Sequence, residues 1–310
     1  MGDEQQRNLK SYSSISRGPI RSIAEALRLV QHHKAYRHSR IASEIDLMRD
    51  VEENVLERLG IRLTNLRMLD VGAGQHLIQM AYFAARGNNV IGVDRDAVVQ
   101  SINIADYLRM ARSNGFKRAT KTIGRKVLGV DLAYRRELER QLGSPRRRER
   151  LSFFQMDATN LDFPDGDFDF VYSLRVFQHV EEPLKIAREI ARVIAPGGGA
   201  YIDFLPYSAI NGSLDLRLLA GREVAPWAHL RRQYQDSVQA SAYVNKLRLD
   251  SWDAIFADAM PGSRLVVDRS PDPERRALVQ SLIDSGELGE FTPDELLATR
   301  ARVFWHRLRA

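Results

Sequence analysis

The chain has 310 residues, 44% hydrophobic and 28% charged, with 46 Lys and Arg against 40 Asp and Glu for a formal charge of +6, and no Cys. That is enough for one large domain with insertions or two modest ones. The lack of Cys excludes disulfides, thiolate metal sites and a cysteine nucleophile, and fits a reducing, cytoplasmic setting. No apolar run approaches the ~18 residues of a membrane span. The polar start Met1-Gly2-Asp3-Glu4-Gln5-Gln6 fits neither a signal peptide nor a myristoylation pattern.

Charge is unevenly distributed. Between Arg109 and Arg150 stand fourteen basic and four acidic residues, a net +10, so the remainder carries −4. A patch of this kind suits an acidic partner, although a solvated surface is the commoner cause.

Residues 1–19, rich in Ser, Arg and Gln, are expected as a tail, and 20–60 as N-terminal helices. There Ile23, Ala26, Leu27 and Val30 mark one stripe, and Ile45, Met48, Val51, Val55 and Leu56 another, with Gly60 as the stop. A β/α rhythm follows over 61–310. Strands are expected at Met68–Val71, Asn89–Val93, Leu151–Met156, Phe168–Ser173, Ala200–Phe204, Leu265–Val267 and Ala301–His306. Helices are expected at His76–Ala85 and Pro183–Ile194, the latter ending in Ala195-Pro196-Gly197-Gly198-Gly199. This alternation implies a doubly wound parallel α/β sheet of seven strands. Two stretches are too long for simple crossovers, at about 108–150 and 205–260, and both are expected as cap or lid insertions beside the ligand crevice.

The chemistry begins at Met68-Leu69-Asp70-Val71-Gly72-Ala73-Gly74-Gln75, a strand followed at once by a glycine turn and a helix. Glycines there let backbone approach a ligand. Asp94 lies 20 residues after Gly74, where an acid can accept both ribose hydroxyl hydrogens. The pairing points to an adenosine-containing cofactor. Leu77 occupies the third glycine position of a dinucleotide fingerprint, which weakens a pyrophosphate ligand. Further on come Met156-Asp157-Ala158-Thr159, Leu161-Asp162-Phe163-Pro164-Asp165, Phe168-Asp169-Phe170-Val171-Tyr172-Ser173, Phe177-Gln178-His179-Val180 and the Pro-Gly-Gly-Gly run.

With these motifs in this order, the sequence resembles the class I S-adenosylmethionine-dependent methyltransferases, within them the small-molecule and sugar methyltransferase-like group. The resemblance covers about Met68–Asp96 and Leu151–Phe204. It implies a Rossmann-like sheet and S-adenosyl-L-methionine as cofactor. It also implies that Asp70, Gly72 and Gly74 shape the methionine pocket and that Asp94 holds the ribose. Asp157 would meet the adenine amino group, the Ala158 backbone the adenine ring, and Ser173 would lie near the methionine portion. Gln75-His76 departs from the small residues, such as Thr-Gly, that family members often carry there.

A hydroxyl acceptor needs a base, and His is the usual choice near neutral pH. His179, just past the fourth strand, and His229, in Ala225-Pro226-Trp227-Ala228-His229-Leu230, are the candidates; structural roles compete for both. Trp227 beside His229 suggests ring stacking on a sugar. His32, His33 and His38 share no helix face with a completing carboxylate, so no metal site is expected.

The leading function is O-methylation of a small molecule, sugar or glycan. An RNA methyltransferase acting on ribose or ring nitrogen through the basic insertion is the alternative, and a non-catalytic cofactor-binding scaffold, docking a partner or an anionic membrane surface, a third. Cytosine C5 methylation lacks its Cys, and Ser173-Leu174-Arg175-Val176 stands where amino-group methyltransferases of bases carry an Asn/Asp-Pro-Pro-aromatic element.

Overall fold

In a computed structural model, the described residues are 23–74, 77–96, 130–143, 151–219 and 222–309, with backbone alone at 23–40, 130–135 and 219. The N-terminal part forms one continuous helix, α1 (Ile23–Leu59), rather than several. Ile41, Ile45, Met48, Val51 and Val55 are buried along it, a 3.6-residue stripe. Leu56, expected in that stripe, is 45% exposed, because one residue after Val55 the helix has turned ~100°. The Ile23–Val30 stripe lies outside the described side chains.

The strands are β1 (Arg67–Val71), β2 (Asn89–Asp94), β3 (Ser152–Gln155), β4 (Phe168–Leu174), β5 (Ile194–Phe204), β6 (Arg264–Arg269) and β7 (Ala298–His306). They form one seven-stranded sheet in the order β3-β2-β1-β4-β5-β7-β6. β1 pairs in parallel with β2 and β4, and β2 with β3, whereas β6 and β7 are antiparallel. The sheet is therefore a mixed α/β sheet, parallel from β3 to β4 and antiparallel between β7 and β6. Met68, Leu69, Val71, Phe170, Val171 and Tyr172 are buried, as strands covered on both faces require. Edge strand β3 is mostly exposed.

The helices are α2 (Ile78–Ala85), α3 (Val130–Leu142), α4 (Pro183–Val193), α5 (Leu216–Leu219), α6 (Leu249–Ala259), α7 (Pro273–Asp284) and α8 (Pro293–Leu296). α2 meets α1 through the Tyr82 hydroxyl, which donates to Glu52 at 2.6 Å. The Pro-Gly-Gly-Gly run is a correction: it lies inside β5 rather than forming a turn before it. Gly197 and Arg307 exchange chain contacts there, Gly197 N donating to Arg307 O at 2.7 Å and Arg307 N to Gly198 O at 2.9 Å. A Cβ on Gly198 would sit 2.5 Å from the Asp169 carbonyl, so only glycine lets the strand begin this early.

Two compact units emerge: the described residues of Ser16–Tyr172, Arg192–Tyr201 and His306–Ala310, and those of Ser173–Ala191 and Ile202–Trp305. In the second, Phe177, Phe204, Trp252 and Phe256 form an aromatic cluster, with Phe204 and Trp252 centroids 4.4 Å apart. α6, inside the stretch expected as a lid, thus supplies core side chains. Of the +10 segment only 130–143 is described, and there Arg140 pairs with Glu137. Among the described residues no helix is long and apolar enough to cross a membrane.

Candidate active site

The carboxyl ends of parallel strands β1, β2, β3 and β4 share one edge of the sheet, where α/β folds bind ligands. At the end of β1 the chain turns through Gly72 and Gly74, with φ of 85° and 64°, a region that costs L-residues energy. Gly72 N and Ala73 N both donate to Val93 O, at 2.8 and 3.1 Å, and Gly74 N donates to Asp94 Oδ2 at 2.9 Å. The donors at the start of this turn are therefore committed to β2. That arrangement suits a cofactor held by its ribose better than one held by a pyrophosphate, which would need those N–H groups.

Asp94 also accepts from Asp96 N through Oδ1, at 2.8 Å. These backbone bonds, one to each oxygen, orient the carboxylate. Among the described residues, a Cβ on Gly74 would meet nothing within 4 Å. Leu77, φ 51°, enters α2 in the left-handed region without a side-chain cap, which is strain beside the same turn. Gln75 and His76 lie outside the described residues.

Asp157 and Ala158 follow β3 beside Asp94: Gln155 is the register partner of Asp94, and Met156 N donates to Asp94 O at 3.0 Å. Asp157 Oδ1 accepts from Thr159 N and Thr159 Oγ1, both at 2.9 Å. The Thr159 backbone bond is the main reason its carboxyl is held below the ordinary value, against a smaller opposing effect of burial.

Asp70 is 2% exposed, and burial pushes its carboxyl from the ordinary 3.8 up to about 8. The nearby Tyr172 phenol pulls it down and the Asp94 charge pushes it up further. Tyr172 is the register partner of Asp70 and its phenol lies near the carboxyl, yet among the described residues neither Asp70 Oδ2 nor Tyr172 Oη, both buried, makes a well-formed hydrogen bond. An orphaned carboxylate oxygen fits a cationic amino group, which would repay its desolvation. Periodicity did not single out Tyr172; only strand order brings it to Asp70.

Because folding raises the pKa of Asp70, its stabilising contribution is present below pH 4 and is lost as pH rises towards 8. Asp70→Asn is therefore expected to gain melting temperature over the parent increasingly between pH 4 and 8, measured by thermal unfolding without ligand. A constant difference would mean that Asp70 is not the titrating group.

Ser173, directly after Tyr172, is fully buried on β4. His179 lies in a 3-10 turn (Phe177–His179), its Nδ1 2.7 Å from the Tyr243 carbonyl. A carbonyl only accepts, so Nδ1 carries the proton and Nε2 the lone pair of the neutral ring. Burial pushes its pKa below 6.5, the Tyr243 carbonyl opposing. His229 is 6% exposed, with Nε2 donating to Tyr207 O at 2.7 Å and its ring edge-on to Tyr207. Burial again lowers its pKa. With Asp215, Ser213 and Asn211 it lines a pocket of about 80 Å³.

Trp227 requires a correction. It is 0% exposed, donates from Nε1 to Ser208 O at 3.1 Å, and packs with Leu230, Val279, Leu282, Leu288, Leu296 and Leu297. Its ring is core and presents no face for a sugar. Among the described residues, no group of three His, Asp or Glu could hold a metal ion.

The profile of a family described as a methyltransferase domain matches residues 111–202. The chain carries a class I S-adenosylmethionine-dependent methyltransferase domain. Similar curated proteins include norajmaline N-methyltransferase of Rauvolfia serpentina, 43% identical over 63 residues, which are 20% of this chain and 21% of that one. Another is 27-O-demethylrifamycin SV methyltransferase of Amycolatopsis mediterranei (strain S699), 27% identical over 159 residues, 50% of this chain and 49% of that one. The chain thus spans half or less of the length of these two relatives. Among solved structures, an S-adenosylmethionine-dependent methyltransferase from Mesorhizobium loti is similar at 14% identity and TM-score 0.44, covering 83% of this chain and 97% of that one.

Proposed function

We propose that the methyltransferase domain methylates a small molecule at a hydroxyl oxygen, with His179 as the general base. The geometry of His179 carries this reading. The Tyr243 carbonyl fixes its proton on Nδ1, and burial lowers the pKa of the ring, which favours the neutral imidazole that a general base requires. Asp94 would hold the ribose, Asp157 and the Ala158 backbone the adenine, and Asp70 with Gly72, Gly74 and Ser173 would surround the methionine portion. Bound S-adenosylmethionine supplies a sulfonium methyl already activated for in-line displacement. The chain's own work is then to orient the acceptor, exclude water and accept one proton.

The relatives' names include an N-methyltransferase and a C-methyltransferase of ubiquinone and menaquinone biosynthesis, UbiE of Ectopseudomonas oleovorans. The atom attacked therefore has to be read from this chain, and a poised base favours an acceptor with a proton to lose. His229 is the second histidine with a lowered pKa, but it is nearly enclosed and already tied to Tyr207.

Transfer of a labelled methyl from S-adenosylmethionine into RNA, protein, lipid, glycan and small-molecule pools tests the acceptor class. Label in the small-molecule pool is the expected result; label confined to RNA overturns the reading. With the acceptor in hand, His179→Ala is expected to lower kcat by about 10²–10⁴-fold with cofactor affinity kept. The parent's kcat/KM should fall on acidification through a limb below pH 6.5, since only neutral His179 accepts the proton. Full turnover in His179→Ala would remove the base.

A further inference from the structure

The backbone around His179 is held by a second segment of chain. Asn245 is buried, and its amide nitrogen Nδ2 donates to Phe177 O at 2.8 Å and to Val180 O at 3.0 Å. Its backbone N donates to Gln178 O at 2.8 Å. Two residues earlier, Tyr243 O accepts from His179 Nδ1. One short segment thus satisfies three carbonyls around the histidine and fixes the tautomer of the ring itself. From the other side the turn is anchored by Phe177, whose ring packs on Trp252 and Phe256.

We infer that Asn245 is a positioning residue, whose side-chain amide clamps the Phe177–Val180 turn so that the Tyr243 carbonyl meets the His179 ring. The inference deepens the assignment of His179 under the proposed function, and its chemistry is specific to an amide. A primary amide brings two N–H donors on one nitrogen, enough for two carbonyls at once. A carboxylate of the same shape has none. Without the amide Val180 O loses this donor and Phe177 O keeps only the longer bond from Val180 N, at 3.4 Å, so the turn and the 243–245 segment have reason to part. The titratable groups in the two segments are Glu181, Glu182, Tyr243 and Lys246. Burial, and after it the Glu181 charge, raises the Tyr243 phenol, whereas burial lowers His179.

The test reads His179 directly and needs no acceptor. In the full chain, the imidazole of His179 is followed by NMR against pH, its signals assigned by their loss in His179→Asn. In Asn245→Ala and Asn245→Asp the midpoint is expected to move up by about half a pH unit or more, towards the ordinary histidine value, as the ring regains water. The ¹⁵N shifts should show the proton leaving Nδ1. S-adenosylhomocysteine affinity, measured by calorimetry, should stay within about twofold, because the residues assigned to the cofactor are untouched. Asn245→Gln keeps the donors one methylene away; a midpoint between parent and alanine is expected, and it carries the same readout if the other variants fail to fold. A lower melting temperature with midpoint and tautomer unchanged would make Asn245 merely structural and overturn the inference. The failure of His179 as a base would show separately, as turnover retained in His179→Ala.

Discussion

Calorimetric titration of S-adenosylhomocysteine into Asp94→Ala is expected to show affinity reduced by about 1.5–3 kcal/mol, roughly 10- to 150-fold. Two losses combine. The carboxylate assigned to the ribose hydroxyls disappears, and so do the acceptors for Gly74 N and Asp96 N, which orient the turn and the chain after β2. Asp94→Asn separates them, because the amide keeps one carbonyl oxygen for a backbone donor but gives up the charge. An intermediate affinity is expected for it. If Asp94→Ala binds as tightly as the parent, the ribose does not sit on Asp94.

Trp227→Ala is expected to destabilise the protein by about 3–5 kcal/mol, as for other fully buried aromatic truncations. The substitution empties the centre of a cluster that joins α7 and α8 to the chain around Leu230, and leaves the Ser208 carbonyl without its donor. Trp227→Phe retains most of the apolar surface and should lose little beyond that hydrogen bond, about 1 kcal/mol. Thermal or denaturant unfolding measures both. A variant with parental stability and only a raised acceptor KM would return Trp227 to a stacking role.

The parts of the fold that sequence reading reached are those where burial imposes a period. β1, β2 and β4 announce themselves because both faces are covered, and Ile45, Met48, Val51 and Val55 because one helix face is. The turn from Asp70 to Gly74 and its partner Asp94 were legible through spacing alone, since the glycines need φ angles that others avoid. Where the period stops, the reading weakens. A tryptophan next to a histidine in a stretch without alternation looks like a binding lid, and nothing local shows that α7 and α8, some fifty residues on, will enclose it. The Pro-Gly-Gly-Gly run reads as a turn because its demand, room beside the Asp169 carbonyl, comes from a strand thirty residues earlier. Asn245 had no signal, for its three partners are main-chain carbonyls, which every residue possesses.

The position of β7 bears on how the sheet can be completed during synthesis. Last of the strands in chain order, it lies between β5 and β6. A nascent chain that has emerged only through β6 offers two strand edges with nothing between them, and unpaired edges recruit other chains. Until residue 306 has left the ribosome, the sheet lacks its closing strand. Truncation inside β7 should therefore yield aggregates rather than a smaller soluble domain, and shielding of nascent chains by a chaperone would matter most between the emergence of β6 and that of β7.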